Sequence, residues 1–276
     1  MQTNYHTHTY RCHHAFGKDE DYVRQAIRQG FKKLGFSDHT CWNYPYTPGQ
    51  RVRMSVSDFD GYAKSVRALQ KKYAGDIDLL LGVEAEYFED YIDWLIDFAI
   101  EKDLDYLIFG NHYLGKDDRS SPWTGSISEK QLTSYIDTCI KGLKSGIYSY
   151  LAHPDLPLFS GRFVWNENVE KEFERLCLAA KELDIPLEYN CTGLMRNLSM
   201  DHEGYPHHKF WELAAKTGNK AIIGMDSHMP DDMTKKLYDL GRSNLETTGI
   251  EIVDELPLVD FRKIREKRRA AKPGSH

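Results

Sequence analysis

The sequence predicts an α/β protein built as a seven-stranded (β/α) barrel, and three observations predict it. Short apolar runs, each closed by a polar residue, recur seven times and alternate with stretches of helical period. Such alternation calls for parallel strands joined by right-handed crossovers, in an open doubly wound sheet or a barrel. Histidines and carboxylates stand just after the runs, and a barrel gathers every strand C-terminus at one mouth whereas an open sheet does not.

In chain order, strands are expected to end at Asn4-Tyr5, at Leu34-Gly35-Phe36, over 77–83 and 106–109, at Tyr150-Leu151-Ala152, and over 186–189 and 221–224. Between them, Tyr62, Val66, Leu69 and Tyr73 recur at helical spacing, as do Val169, Phe173, Leu176 and Ala180, so these faces should pack on a sheet. Ser57-Asp58 and Asn166 are the expected N-caps, and Gly30, Gly75, Gly146 and Gly218 fall where helices should stop. No linker, repeat or low-complexity break interrupts the pattern, which predicts one domain over 1–276 with a basic C-terminal tail from about 265, frayed over 268–276.

Composition narrows the function classes. Of 276 residues, 41% are hydrophobic and 28% charged, near soluble globular averages. The 36 basic and 42 acidic residues give a net charge of −6, which argues against a general nucleic-acid or anionic-membrane binder. The start, Met1-Gln2-Thr3-Asn4-Tyr5-His6, has neither a basic nor an apolar leader region, and no stretch approaches about 18 uninterrupted apolar residues, so a cytoplasmic setting is expected. The five cysteines are scattered without CxxC spacing, and reduced thiols are the expectation.

Seven of the twelve histidines stand at the strand ends: His6, His8, His14, His39, His112, His153 and His228, accompanied by Glu84 and Asp226. Neutral imidazole and carboxylate oxygen bind Zn²⁺, Mn²⁺ or Fe²⁺ at about 2.0–2.2 Å, commonly with three or four protein ligands. Nine candidates exceed one ion's needs, and with Glu84 bridging they suit two crowded sites or three open ones, of which three open ones serve catalysis better. His6 and His8 flank one residue on an extended segment, so both can face the same ion.

In order along residues 6–228, His6-x-His8, Cys12-x-His14-Ala15, Ser37-Asp38-His39, Gly82-x-Glu84, His112, His153-Pro154 and Asp226-x-His228 resemble the polymerase-and-histidinol-phosphatase (PHP) metallohydrolases. The resemblance implies a distorted (β/α)7 TIM-like barrel with a metal site at the C-terminal mouth of its strands. It also implies two or three divalent ions (Zn, Mn or Fe): one held by His6, His8, Glu84 and Asp226, a second by Glu84, His112 and His153, a third by His14, His39 and His228. The family's spacing selects His14 over His13 and Glu84 over Glu86, leaving Glu86 either to support the site or to stand in a loop. Asp38 and Asp155, beside ligands, are expected to orient imidazole N–H groups. Chain length and motif spacing are most similar to the stand-alone histidinol-phosphate phosphatases, which implies hydrolysis of L-histidinol phosphate in histidine biosynthesis, with Asp226, His228 and Glu84 catalytic.

Water held between two cations loses a proton near neutral pH, its pKa falling from 15.7 toward about 7, and hydroxide so formed can attack phosphorus in line. A dianionic phosphate also calls for planar guanidinium donors, and Arg162 and Arg196, in loops expected after the fifth and sixth strands, are the candidates. Arg51 and Arg53 read as solvated loop charges, and His202, His207 and His208 as surface residues. The loops over 41–49 and 115–125, with Trp42 and Trp123, could wall a substrate or pack on the barrel; Asp155 and Tyr113 are possible proton donors to the leaving alkoxide. TatD-like nucleases and amidohydrolases share the first motif, but neither explains His14, His39 and His228, and no lysine stands at a strand end. Within the resemblance, a phosphodiesterase, an exonuclease or a phosphatase for another monoester is the alternative. The partner expected is a small phosphate ester, with no nucleic acid or membrane.

Overall fold

The computed structural model describes residues 2–43, 50–115, 122–125, 127–161, 164–200 and 202–271. Eight parallel strands, β1 (Thr3–Asn4), β2 (Lys33–Phe36), β3 (Asp78–Ala85), β4 (Tyr106–Phe109), β5 (Tyr150–Leu151), β6 (Leu187–Asn190), β7 (Lys220–Gly224) and β8 (Glu251–Ile252), pair in sequence order in one sheet. Among the described residues the helices are α1 (Asp19–Arg28), α2 (Phe59–Lys72), α3 (Ile92–Glu101), α4 (Glu129–Lys144), α5 (Glu167–Glu182), α6 (Cys191–Ser199), α7 (His208–Thr217), α8 (Lys235–Thr248) and α9 (Phe261–Ala271). Seven strands stand where the apolar runs place them. The eighth corrects the expected count: β8 is two residues long with exposed Glu251, and offers no apolar run to read.

The sheet curls until its edges approach one another. Past β1 and β7, Thr7 and Ser227 form a parallel bridge, with His8 N–H donating to Ser227 O at 3.0 Å and Ser227 N–H to His6 O at 3.3 Å. At the opposite end the Thr3 hydroxyl donates to Asp254 O at 2.7 Å, just beyond β8. Inside the curl, Tyr5, Tyr106, Ile108, Tyr150, Ala152 and Ile222 form a small buried core beneath the mouth. Tyr106 crosses it to donate to Tyr5 O and Phe36 O at 2.8 and 3.0 Å. A Cβ at Gly35 would meet the Tyr106 hydroxyl at 2.2 Å and one at Gly82 the Tyr106 ring at 2.5 Å, so both positions demand glycine.

The helices cover the outer face. Val169, Phe173, Leu176 and Ala180 of α5 are fully buried, as their spacing predicts, and burying each of the two large side chains stabilises the fold by about 1.5–3 kcal/mol. Asn166 caps α5, its Oδ1 accepting from Asn168 and Val169 N–H at 2.9 and 3.1 Å. Asp58 stands at the N-cap of α2 as expected, without a side-chain cap bond there; a 3-10 turn over Val56–Asp58 precedes the helix, and Ser55 opens that turn, donating to the Asp58 carboxylate at 2.6 Å. Residues 268–271, expected to fray, continue α9, because Arg265 and Arg268 pair with Asp93 and Asp97 of α3 at 2.6–3.1 Å. All five cysteines are buried and unpaired, and among the described residues no helix is long and apolar enough to cross a membrane.

Candidate metal centre

Asn4, the last residue of β1, turns the chain into the site. Its Oδ1 accepts from His6 N–H at 3.0 Å and from Met225 N–H at 2.9 Å, tying the segments that carry His6, His8 and Asp226. His39 follows β2 and bridges to Glu84 on β3; His112 follows β4 and His153 follows β5. His14 follows a 3-10 turn over Tyr10–Cys12 and directs its Nδ1 to Cys12 O at 2.7 Å, which leaves Nε2 for the cluster. His153 and Asp226 have positive φ, 31° and 48°, a conformation costing roughly 1–3 kcal/mol each that turns both side chains into the mouth.

All nine expected groups converge. Glu84 stands at the middle: Oε1 is 2.9 Å from His112 Nε2 and 3.0 Å from His153 Nε2, while Oε2 is 3.0 Å from His39 Nδ1 and 3.5 Å from both His6 and His8 Nε2. Asp226 Oδ1 lies 3.4 Å from His6 Nε2 and 3.3 Å from His8 Nε2. His6 and His8 bring their Nε2 atoms to 3.0 Å of each other, and His14 and His228 bring theirs to 2.9 Å. His13, with φ of 61° and an exposed side chain, faces away from this cluster and lines a different cavity.

The donor set fits divalent cations. Two donor atoms each about 2.1 Å from one ion at angles of about 90–109° stand about 3.0–3.4 Å apart, close to the 2.9–3.5 Å separations here. Buried Glu84 Oε2 and His39 Nδ1 are 3.0 Å apart yet neither has a hydrogen-bond partner, and such orphaned buried acceptors are costly unless a cation satisfies them.

Charge follows the same geometry. Burial favours a neutral Glu84 and Asp226, but the surrounding imidazoles, His112 and His6 above all, outweigh it and hold both carboxyls well below their usual range. Burial, reinforced by neighbouring imidazoles, depresses His8 and His14 and lowers His39 to about 3, so these three are neutral lone-pair donors. His6 and His112 are also penalised by burial, yet Glu188 lifts His6 well above its ordinary value and Glu84 with Glu86 lifts His112 to about 10.

Four further carboxylates surround the nine groups. Glu86 accepts from His112 Nδ1 at 3.0 Å and pairs with Arg53 at 2.9 Å, so it supports the site. Glu188 stands at the sixth strand end, but the sequence assigns it no role: fully buried, it accepts from His6 Nδ1 at 2.7 Å, His153 N–H at 3.0 Å and Asn190 Nδ2 at 3.0 Å. A carboxylate inside the apolar run of β6 is the signal that could have found it. Asp38 and Asp155 depart from expectation. Asp38 accepts from Thr9 N–H and hydroxyl at 2.7 and 2.6 Å, and Asp155 from His207 N–H at 2.7 Å; each holds backbone rather than an imidazole. Burial raises both acids to about 7.

A cavity of about 220 Å³ opens on the cluster, walled by Val52, Arg53, Tyr113, Pro122, Thr124, Leu156 and Tyr205. A roomier one of about 620 Å³, bordered by α6, α7 and α8, contains none of the nine groups. Arg53, expected in solvent, is buried and donates to Thr40 O at 2.9 Å. Arg51 is exposed. Arg162 lies outside the described residues. Arg196 is on α6 rather than in a loop, because Asn190 caps that helix directly at the end of β6, and its guanidinium lies 4.0 Å over the Phe159 ring. Trp42 and Trp123 are buried against the barrel, their indole N–H groups donating to Glu86 at 2.8 Å and Asn111 at 3.2 Å; residues 44–49 of the first loop lie outside the described residues. His208 is exposed as expected, whereas His207 stacks on Trp165 at 5.3 Å and His202 packs on Gly161.

The PHP domain family model matches residues 4–192, and the chain belongs to that family. The probable histidinol-phosphatase of Deinococcus radiodurans is 26% identical over 251 residues, covering 86% of this chain and 92% of the relative. The histidinol-phosphatase of Bacillus subtilis is 24% identical over 259 residues, covering 83% and 94%. In fold, the chain is similar to histidinol phosphate phosphatase from Lactococcus lactis, solved in complex with zinc, L-histidinol and phosphate, with a TM-score of 0.72 at 17% identity over 91% of this chain and 95% of that one.

Proposed function

We propose that the protein is a metal-dependent phosphomonoesterase acting on L-histidinol phosphate and releasing L-histidinol and phosphate. The observation that carries this reading is the convergence of nine ligand-type groups around Glu84 at separations suited to shared cations, under a cavity sized for a small molecule. Names of full-length relatives support the substrate.

Two or three divalent ions (Zn, Mn or Fe) are proposed. His6, His8, Glu84 and Asp226 would hold one, Glu84, His112 and His153 a second, and His14, His39 and His228 a third; the approach of His6, His8 and Asp226 to one another supports the first grouping, and the 2.9 Å between His14 and His228 Nε2 supports the last. Bound there, the ions supply water of lowered pKa and neutralise the charge of a phosphate monoester. The chain's own residues do the rest. Glu84, between two groups of imidazoles, sets the spacing of the sites. Asp226, ionised and within 3.4 Å of His6, is the carboxylate positioned to take a proton from attacking water, with His228 beside it at 3.5 Å. Arg162 and Arg196 remain the proposed phosphate donors.

The test is a comparison of kcat/KM for L-histidinol phosphate, nucleoside monophosphates and bis-p-nitrophenyl phosphate on metal-loaded protein. L-Histidinol phosphate is expected to lead by at least about a hundredfold. Preference for the diester would replace the reading with a phosphodiesterase, and equal slow rates on all monoesters would remove the substrate assignment.

A further inference from the structure

Tyr205 is the most enclosed aromatic on the cavity wall. It is 6% exposed, stands between α6 and α7, and borders the same cavity as His153 and Asp226. Packing fixes its ring: it stacks on Phe159 at 5.9 Å, meets the His153 ring edge-on at 6.3 Å, and lies so close to Gly193 that a Cβ there would sit 2.8 Å from the ring and 2.3 Å from Tyr205 O. Among the described residues nothing hydrogen-bonds to its hydroxyl, although buried phenols ordinarily find a partner. Tyr205 lines the cavity that opens on the cluster, and that cavity is where a ligand can reach it.

We propose that Tyr205 donates this hydrogen bond to a phosphoryl oxygen of the substrate. The proposal rests on the phosphomonoesterase reading of the same site and adds a specificity-determining residue to it. A phenol serves here because it remains a neutral donor: burial and the Asp226 charge both keep its proton in place. It is pre-organised, so little side-chain freedom is lost when an anion arrives. Asp155, the other interior acid near this wall, does not compete for the role, since it is engaged by His207 N–H at 2.7 Å and does not border the cavity.

The experiment is calorimetric titration of orthophosphate into zinc-loaded wild-type and Y205F protein, with metal content measured in both and L-histidinol phosphate turnover in parallel. Y205F keeps the ring and its packing, and is expected to retain its ions while binding phosphate about 10- to 100-fold more weakly, the usual loss for a hydrogen bond to a charged acceptor. Equal phosphate affinity in the two proteins, or a wild type that binds no phosphate, would overturn the proposal. Loss of ions from Y205F would also overturn it, by making the hydroxyl a support of the metal ligands. Failure of the enzymatic reading looks different: phosphate would bind in a Tyr205-dependent way to a wild type that hydrolyses no monoester.

Discussion

Glu188 Oε1 accepts a hydrogen bond from His6 Nδ1 at 2.7 Å with both side chains fully buried. The bond fixes the His6 tautomer, so that Nε2 is presented to the cluster, and carboxylates behind ligating histidines typically account for a 10- to 100-fold share of metal affinity. E188A is therefore expected to weaken zinc binding by about that factor. E188Q, which can still accept from Nδ1, should lose less. Competition with a chromophoric chelator reads both, and equal affinity in E188A and wild type would rule out this support.

Removal of a central group has a larger effect. His6 and Asp226 stand 3.4 Å apart, and H6A or D226N removes a proposed ligand from the most crowded part of the cluster. Turnover is expected to fall by about a thousandfold or more, with fewer ions per protein by elemental analysis. R196A should instead chiefly raise KM at unchanged metal content.

A methyl group can test the crowding. A Cβ at Gly110 would lie 2.1 Å from Glu84 Oε1 and 2.4 Å from His112 Cε1. G110A should displace Glu84, cost about 1–3 kcal/mol in denaturant-monitored stability, and empty sites that Glu84 shares. Wild-type metal content in G110A would show that Glu84 is not their shared ligand.

Metal uptake should release protons. In the metal-free protein Glu188 and Asp226 hold a proton on His6, and Glu84 with Glu86 holds one on His112, raised to about 10. Ligation requires both imidazoles neutral, so affinity should rise with pH across about 6–9 and fall as protons compete at lower pH. Calorimetry of zinc binding in buffers of different ionisation enthalpy should detect at least one proton released, and uptake without proton release would contradict the assignment.

Chelation completes the set. Ions that bind only the folded chain stabilise it by mass action. EDTA treatment should lower Tm by several degrees and abolish turnover, and added Zn²⁺ or Mn²⁺ should restore both.

Eight of the nine converging groups were legible because each stands close past an apolar run, and a run's end is visible in one dimension; His14, beyond the turn over Tyr10–Cys12, was legible through the Cys12-x-His14-Ala15 motif. His6, Glu84, His153 and Asp226 could therefore be assembled without coordinates. Glu188 was not, since its partners are 182 and 35 residues away and its role lies in two hydrogen bonds that no local pattern encodes. Arg53 was misjudged for the same reason: solvation is the ordinary state of a loop arginine, and partners such as Thr40 O and Glu86, the latter 33 residues on, keep this one inside. β8 was missed because two residues carry no periodicity.

By itself the sequence determined the strand and helix beat and the chemical class of the groups at the strand ends, because apolar periodicity and ligand chemistry are local properties of the chain. The tertiary structure alone decided which atoms meet: the curl that brings Thr7 to Ser227, the carboxylates that fix each imidazole, and the enclosure of Tyr205. Those depend on packing between segments far apart in sequence, where a shift of about one ångström separates a shared ligand from a neighbour.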